Sequence, residues 1–416
     1  MNIAELYLNK TNFTPLISEK PPKNLGISVV IPCYNEDNIK SVLHSLLQCY
    51  PTNKAVEVII VLNSKQSDTE IVKHKNKICE QQFFEFKKNI KPETPLFFQL
   101  IKVENISDKI AGVGYARKIG MDEALYRLNI VQNKKGIIVS LDADCIVEKN
   151  YLTEIEKIFH NKKAKAISIR FEHPISGVAF DESVYDAICQ YELYLHYHIL
   201  ASRFAGHPFA FHTIGSAFAV RADIYAMQGG MNKRQAGEDF YFLHKVIPLG
   251  NFFELNSTRI YPSPRTSERV PFGTGATINK IINSENKNFY VYDLQAYKDL
   301  KMLFENVFKH YHQNINYNFI NTLPEILQSY LYIIDFKKNM TEILSNTSKF
   351  ETFKKRFFRW FDMFMLIKYL NYSHKNYYTK IPISFAAKEL LDLLNIHSNS
   401  LNNKDLLIIS RNLIYN

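Results

Sequence analysis

The stretch ISVVIPCYNEDN (residues 27–38) sets a mostly apolar, β-branched run directly before a proline and a group of polar side chains. Such a run predicts a buried strand that ends near Pro32. Two further runs, VEVIIVL (56–62) and GIIVSL (136–141), have the same character, and helical patterns separate the three. The alternation predicts an α/β fold whose parallel sheet is covered by helices on both faces.

In an open sheet of this kind, ligands bind beyond the carboxyl ends of the strands. Three polar segments fall at such ends, namely residues 32–37, 63–68 and 142–145. We therefore expect their side chains to face one crevice.

The strongest local signal is the pair Asp142 and Asp144, which follows an apolar strand with only Ala143 between them. Residues two apart in an extended segment project to the same side, so both carboxylates can reach one cation. Mg²⁺ and Mn²⁺ typically take one or two carboxylates together with phosphate oxygens. The pair predicts a site for a metal-bound diphosphate, and two solvated acids in a turn are the alternative.

A second acidic pair, Glu238 and Asp239, follows Gly237 and precedes an aromatic stretch with the pattern of a helix. The helix dipole stabilises carboxylates in a first turn, so ordinary capping explains this pair when it is taken alone. Its position after the other motifs favours a functional role.

Together, these motifs resemble the family 2 glycosyltransferases, which have the GT-A fold. The resemblance covers residues 26–280. Its most specific parts are PCYNE after the first strand, ARKIG (116–120) before the acidic pair, and GG (229–230) followed by ED (238–239).

The resemblance implies a role for each matching residue. Pro32, Tyr34 and Glu36 would bind the nucleotide sugar beside its base and ribose. Asn63 and Arg117 would also bind it, near the nucleotide. Asp142 and Asp144 would hold the metal and the diphosphate, with Asp144 the first choice of ligand. Asp239 matches the catalytic base of inverting members, and Glu238 stands beside it.

Two positions depart from the family pattern. Lys118 stands where asparagine is usual, and Asn63 replaces an acid in LNSKQSD (62–68), where many members have DDGSTD. A preference for uracil therefore does not follow, and another nucleotide base is open.

The implied reaction moves a sugar from a nucleotide-diphosphate sugar to an acceptor hydroxyl, with Mn²⁺ or Mg²⁺ as cofactor and with inversion. The acceptor, whether a glycan, a lipid-linked molecule or a small molecule, is left open. Whether a histidine completes the metal shell, and which one, is also left open. The alternatives are a nucleotidyltransferase, or a non-catalytic basic module that binds anionic lipid or nucleic acid.

The net charge of +10 favours anionic partners such as nucleotides. Lysine and arginine are scattered without a dense basic tract, so we predict no nucleic-acid partner.

The chain shows no export pattern at its start and no run of about eighteen apolar residues, so we expect a cytoplasmic protein. The five cysteines include no CxxC pair and are expected to serve packing.

We divide the chain into an N-terminal extension (1–25), a GT-A domain (26–280) and a C-terminal helical region (281–416). Helical patterns in the last part cover 291–314, 323–336, 350–370 and 385–394. The third mixes bulky apolar residues with basic ones, which predicts peripheral contact with the inner face of an anionic membrane. Packing of its aromatic residues onto the catalytic domain is the alternative.

The segment YPSPRTSERVPFGTGATI (261–278) combines three prolines with two glycines. Prolines restrict the backbone and glycines free it, which predicts a shaped loop with a hinge near Gly273 and Gly275. Arginine can hold phosphate through two parallel hydrogen bonds. We predict a lid in which Arg265 and Arg269 grip the donor diphosphate or an anionic acceptor, and a plain surface connection is the alternative.

Overall fold

The computed structural model describes residues 1–91, 93–234, 237–267, 273–311 and 317–416. These residues form two compact units. The first contains Met1–Pro174 and Thr213–Pro264, and the second contains Ile175–His212, Arg265–Ser267 and Thr274–Asn416.

The first unit is built on an eight-stranded sheet with the order β3-β2-β1-β4-β7-β6-β8-β5. The strands are β1 (Leu25–Cys33), β2 (Ala55–Lys65), β3 (Leu96–Ile106), β4 (Ile137–Ser140), β5 (Ile146–Val147), β6 (Ala166–Phe171), β7 (Phe218–Arg221) and β8 (Phe252–Tyr261). The predicted α/β class is confirmed. The sheet is mixed, however, because β7 runs antiparallel to both β4 and β6, and β5 antiparallel to β8. The direction of the four-residue β7 depends on tertiary pairing that no local pattern specifies.

Helices of the first unit flank this sheet. They are α1 (Ile3–Lys10), α2 (Lys40–Leu47), α3 (Glu70–Lys88), α4 (Val113–Ile130), α5 (Tyr151–Asn161), α7 (Ala222–Met227) and α8 (Glu238–Val246), while α6 belongs to the second unit. Strand β1 is buried along its whole length, as its apolar run predicts. Helix α4 packs closely on it, since a Cβ built at Gly120 would lie 2.8 Å from Val61 and closer still to Val30.

The parallel strands β2, β1 and β4 are neighbours, so the three predicted polar ends lie along one edge of the sheet. Pairing between β1 and β4 stops at Val30 and Ser140, whereas β1 stays paired with β2 as far as Cys33. Pro32 lies beyond the last β1–β4 pair, where a residue without an N–H removes no bond between those strands.

The second unit is mainly helical, which confirms the predicted C-terminal helical region. Its helices are α6 (Glu182–Phe204), α9 (Thr274–Ile282), α10 (Leu294–Tyr311), α11 (Glu325–Ile333), α12 (Phe336–Ser345), α13 (Phe350–Trp360), α14 (Met363–Asn376), α15 (Ile383–Leu393) and α16 (Asn403–Tyr415). A small antiparallel pair joins β9 (Tyr290–Val291) to β10 (Ile381–Pro382). Helices α6 and α16 are joined by a buried ion pair, in which Arg411 Nε donates to Glu192 Oε1 at 2.7 Å.

The prediction of one helix over 350–370 is wrong. Two helices occupy this stretch, and the second begins after Asp362, whose side chain accepts a hydrogen bond from the Met365 N–H at 2.9 Å. An aspartate in this cap position starts a new helix. Phe353 and Phe357 of α13 are buried, and both rings contact Phe308 of α10.

Among the described helices, none combines the length and the apolar character needed to cross a bilayer.

Candidate active site

Arg117 of α4 connects two carboxylates that come from distant parts of the first unit. Its Nη2 donates to Asp142 Oδ1 at 2.7 Å, and its Nη1 donates to Glu238 Oε1. The Arg117 and Glu238 side chains are buried, whereas the Asp142 side chain is 37% exposed. The guanidinium thus places the end of β4 beside the first turn of α8.

Asp239 joins this group through its contact with Gly215. A Cβ built at Gly215 would lie 2.9 Å from both Arg117 Nη2 and Asp239 Oδ2, so this position has no space for a side chain. The Gly215 carbonyl also accepts a hydrogen bond from Ser140 at the end of β4, at 2.6 Å. Gly215 therefore brings Asp239, Arg117 and the end of β4 together.

The pKa of Asp239 is raised above its ordinary value. Burial is the main cause, the charge of Asp142 acts in the same direction, and the positive charge of Arg117 opposes both. One carboxylate oxygen accepts a hydrogen bond from the Phe240 N–H at 2.7 Å, which fixes the orientation of the carboxylate in the first turn of α8. A carboxylate with a raised pKa is a stronger base than an ordinary one.

Asp142 and Asp144 provide the donor set that a hard divalent cation uses together with phosphate. Both are partly exposed just beyond β4, whereas Cys145 next to them is buried and burial raises its pKa well above the ordinary value. In the part of the chain that the structure describes, no group of three or more His, Cys, Asp or Glu residues could hold a metal by itself. Mg²⁺ and Mn²⁺ often take one or two carboxylates and complete their shell with phosphate and water. The pair fits such a cation.

The loops after β1 and β2 are joined by hydrogen bonds. Tyr34 donates its hydroxyl hydrogen to Asp68 at 2.5 Å, and Asp68 also accepts from the Lys65 N–H at 2.6 Å. Asn76 of α3 accepts from the Asn35 N–H and donates to the Asn63 carbonyl, both at 3.0 Å. Asn76 is not among the predicted site residues, because an asparagine inside a helical pattern carries no local signal.

Asn63 lies at the end of β2 and is only 2% exposed. Within the described residues, its side-chain Oδ1 has no hydrogen-bond partner. A buried amide oxygen in this state is a ready acceptor for a ligand N–H.

The structure also describes two further predicted residues, Glu36 and Arg265. Glu36 is buried beside α3, and its carbonyl accepts from the Cys79 thiol at 3.2 Å. Arg265 belongs to the second unit. Arg269 lies outside the described residues, so the lid remains a prediction.

Comparison with protein families identifies the enzyme class. Residues 28–225 match the family model described as glycosyl transferase family 2. This segment is a family 2 glycosyltransferase domain. The match begins in β1, ends in α7 and includes Arg117, Asp142 and Asp144, whereas Glu238 and Asp239 lie beyond it.

The family 2 assignment confirms the predicted enzyme class and supports glycosyl transfer over nucleotidyl transfer or a non-catalytic role. Among solved structures, the chain is similar to S. aureus TarS 1-349 in complex with UDP-GlcNAc, with a sequence identity of 14% and a TM-score of 0.41. That similarity covers 81% of this chain and 91% of the TarS chain. The same TarS fragment in complex with UDP has 16% sequence identity and a TM-score of 0.40, and the similarity covers 69% of this chain and 72% of the TarS chain. The structure of GalNAc-T7 with UDP, GalNAc and Mn²⁺ has 15% sequence identity and a TM-score of 0.37, and the similarity covers 63% of this chain and 48% of the GalNAc-T7 chain. These similarities are remote, and no curated protein matches the chain significantly.

Proposed function

We propose that this protein transfers a sugar from a nucleotide-diphosphate sugar to an acceptor hydroxyl with inversion at the anomeric carbon. The proposal depends on one observation. Gly215 contacts both Asp239, a carboxylate with a raised pKa, and Arg117, which is paired with Asp142. A base and a site for a leaving diphosphate therefore lie within one small group of residues.

The donor side of the reaction needs positive charge. Cleavage of the bond to the anomeric carbon develops negative charge on the leaving diphosphate, and charged groups already in place stabilise it. Arg117 is such a group, because its partners hold the guanidinium beside Asp142. Asp144 and Asp142 would hold Mn²⁺ or Mg²⁺, and the bound cation would serve as a Lewis acid.

The acceptor side needs a base. Asp239 would remove the proton from the acceptor hydroxyl as the oxygen attacks the anomeric carbon from the face opposite the leaving group. A single displacement of this kind inverts the configuration. Glu238 does not compete for the proton, since its carboxylate is buried against Arg117, and we assign it the role of holding the first turn of α8.

We place the nucleotide against the loops after β1 and β2, with Pro32, Tyr34 and Glu36 beside the base and ribose. The Tyr34–Asp68 bond and the links through Asn76 support this placement, because they hold both loops in one arrangement. Asn63 adds a buried acceptor, and its amide also carries donors, so several bases match it.

The acceptor can be a glycan, a lipid-linked molecule or a small molecule, and we propose no role for nucleic acid. Helix α13 exposes Lys354, Lys355 and Arg356, while Phe353, Phe357 and Phe358 are buried. Peripheral contact with an anionic membrane would therefore be electrostatic and would not insert these rings. A lid with Arg265 and Arg269 remains part of the proposal.

The direct test incubates the purified protein with UDP-, GDP-, CDP- and TDP-sugars, with and without Mn²⁺ or Mg²⁺, and follows release of the nucleoside diphosphate. One donor should be consumed in a metal-dependent reaction, and NMR of the product should show an inverted anomeric centre. Absence of turnover with every donor and a panel of hydroxyl acceptors would contradict the function, and retained configuration would contradict the role of Asp239.

A further inference from the structure

Helix α4, which carries Arg117, is covered on two sides. One side packs on β1 and β2 through Gly120. The other side also has little exposure, although it carries charged residues, including Asp122, Glu123 and Arg127. Charged side chains are rarely buried unless they are paired. Residues 1–25 supply a partner to each of these three, beside Glu57, which accepts two hydrogen bonds of 2.6 Å from Arg127.

Tyr7 of α1 supplies the first of these contacts. Its hydroxyl donates to Asp122 Oδ1 at 2.8 Å and accepts from Lys118 Nζ at 2.7 Å. Lys118 also donates to Asp122 Oδ2 at 2.7 Å, and Tyr225 of α7 donates to Asp122 Oδ1 at 2.7 Å. Asp122 is thus held by three donors, and Tyr7 connects two members of this network.

The chain after α1 continues along the same helix. The Leu16 N–H donates to Glu123 Oε2 at 2.9 Å, and Arg127 Nη1 donates to the Glu19 carbonyl at 2.8 Å. At the start of the chain, Asn2 donates to the Asn129 side chain at 2.9 Å. Residues 1–25 therefore contact α4 along much of its length.

Tyr7 of α1 and Gly114 of α4 contact the described ends of the segment that leads to the proposed base. Gly230 has a φ of 65° and lies against Tyr7, where a Cβ would be 2.6 Å from the ring carbon Cζ. Gly114, in the first turn of α4, lies against Glu238, where a Cβ would be 2.9 Å from Cγ. A shift of α4 would disturb Arg117 and the contact between Gly114 and Glu238 together.

We propose that Tyr7 is a positioning residue, which fixes α4 and thereby holds Arg117 beside Asp142. The N-terminal segment is then part of the active-site scaffold. The expected effect on catalysis rests on the proposed function, whereas the effect on α4 does not.

The test compares Tyr7→Phe with the parent protein in two measurements. The first is amide hydrogen exchange of peptides that cover 113–122, in which the variant should exchange roughly ten-fold faster, because a buried charged group has lost a hydrogen bond. The second is steady-state kinetics well below the unfolding temperature. The kcat/KM for the donor should fall, because Arg117 pairs with Asp142 on the donor side.

Tyr126→Phe is the matched control. Tyr126 is also on α4 and packs against Phe13 at a ring-centroid distance of 5.3 Å, but its hydroxyl forms no hydrogen bond with the described residues. This variant should match the parent in both measurements, since it removes the same atom without breaking the network.

Each outcome decides the proposal. Unchanged exchange over 113–122 in Tyr7→Phe would show that Tyr7 does not hold α4 and would overturn it. Faster exchange with parent kinetics for both substrates would make Tyr7 a stabilising residue only, which also overturns it. If the parent protein turns over no nucleotide sugar, the proposed function fails, and binding of UDP and the other nucleoside diphosphates replaces kinetics as the second measurement.

Discussion

Arg117 and Glu238 form an ion pair whose side chains are each only 2% exposed, although 121 residues separate them in the chain. Removing two charges from water is costly, and their attraction offsets that cost only while both partners are present. The pair therefore ties the first turn of α8, and Asp239 with it, to the helix that carries Arg117.

Glu238→Ala should lower the free energy of unfolding by about 3–5 kcal/mol, because Arg117 is left as a buried charge with one partner fewer. Denaturant unfolding measures this loss. Glu70→Ala is the control, since Glu70 pairs with Lys73 at the surface, and exposed pairs contribute little. Equal stabilities of the two variants would contradict the structural role of the buried pair.

Asp239→Asn should reduce kcat by about 10² to 10⁴ because it removes the base. It should also raise the free energy of unfolding at pH 7. A carboxyl whose folded pKa lies above its unfolded value favours folding when protonated, and this contribution is lost as the pH rises through the folded pKa.

The stability difference between Asp239→Asn and the parent should therefore shrink as the pH falls through the folded pKa of Asp239, and it should be lost below the unfolded pKa of aspartate, about 3.9. Parent kcat should fall as acid protonates Asp239, at a pH above that of an ordinary aspartate. An Asn variant that is less stable than the parent at pH 7 would contradict the raised pKa.

Asp144→Ala should lose metal-stimulated turnover while the protein stays folded, because the cation loses one of its two proposed carboxylate ligands. The measurement is turnover as a function of Mn²⁺ concentration, with excess chelator as a second arm. Glu93→Ala changes an exposed loop acid and should respond to Mn²⁺ like the parent. Undiminished turnover of Asp144→Ala would remove the metal assignment.

Gly215→Ala should lower kcat strongly, because the new methyl group would meet Arg117 and Asp239 at 2.9 Å. Gly206→Ala provides a contrast. Gly206 has a φ of 87° and no neighbour within 4 Å of a built Cβ, so its replacement adds backbone strain without a contact. Thermal unfolding compares the stability of the two variants, and donor turnover compares their activity. Only Gly215→Ala should lose activity.

Local pattern was enough to predict the α/β class and the polar ends of β1, β2 and β4. An apolar run with a sharp polar end is a property of neighbouring residues, and adjacency of parallel strands then places those ends along one edge. The contacts among Asp142, Arg117 and Gly215 depend on long-range packing. The spacing of these residues in the chain does not specify a 2.7 Å ion pair or a position without space for a Cβ.

Other features had a local signal that was not used. Asp362 before an apolar stretch is an N-cap pattern, and it divides the predicted helix over 350–370 into two. The N-terminal segment offered a weaker signal, because Tyr7 has meaning only once Asp122, Lys118 and Gly230 surround it. The antiparallel direction of β7 has no local cause.

The bond between Glu192 and Arg411 spans 219 residues, which has a consequence for synthesis of the chain. A ribosome adding about 5–20 residues per second needs roughly 10–40 s to travel between these two codons. During that interval α6 is already made, but its central carboxylate lacks the guanidinium that neutralises it in the finished protein. Until α16 has been made, the second unit cannot bury the Glu192 carboxylate of α6 against its guanidinium partner.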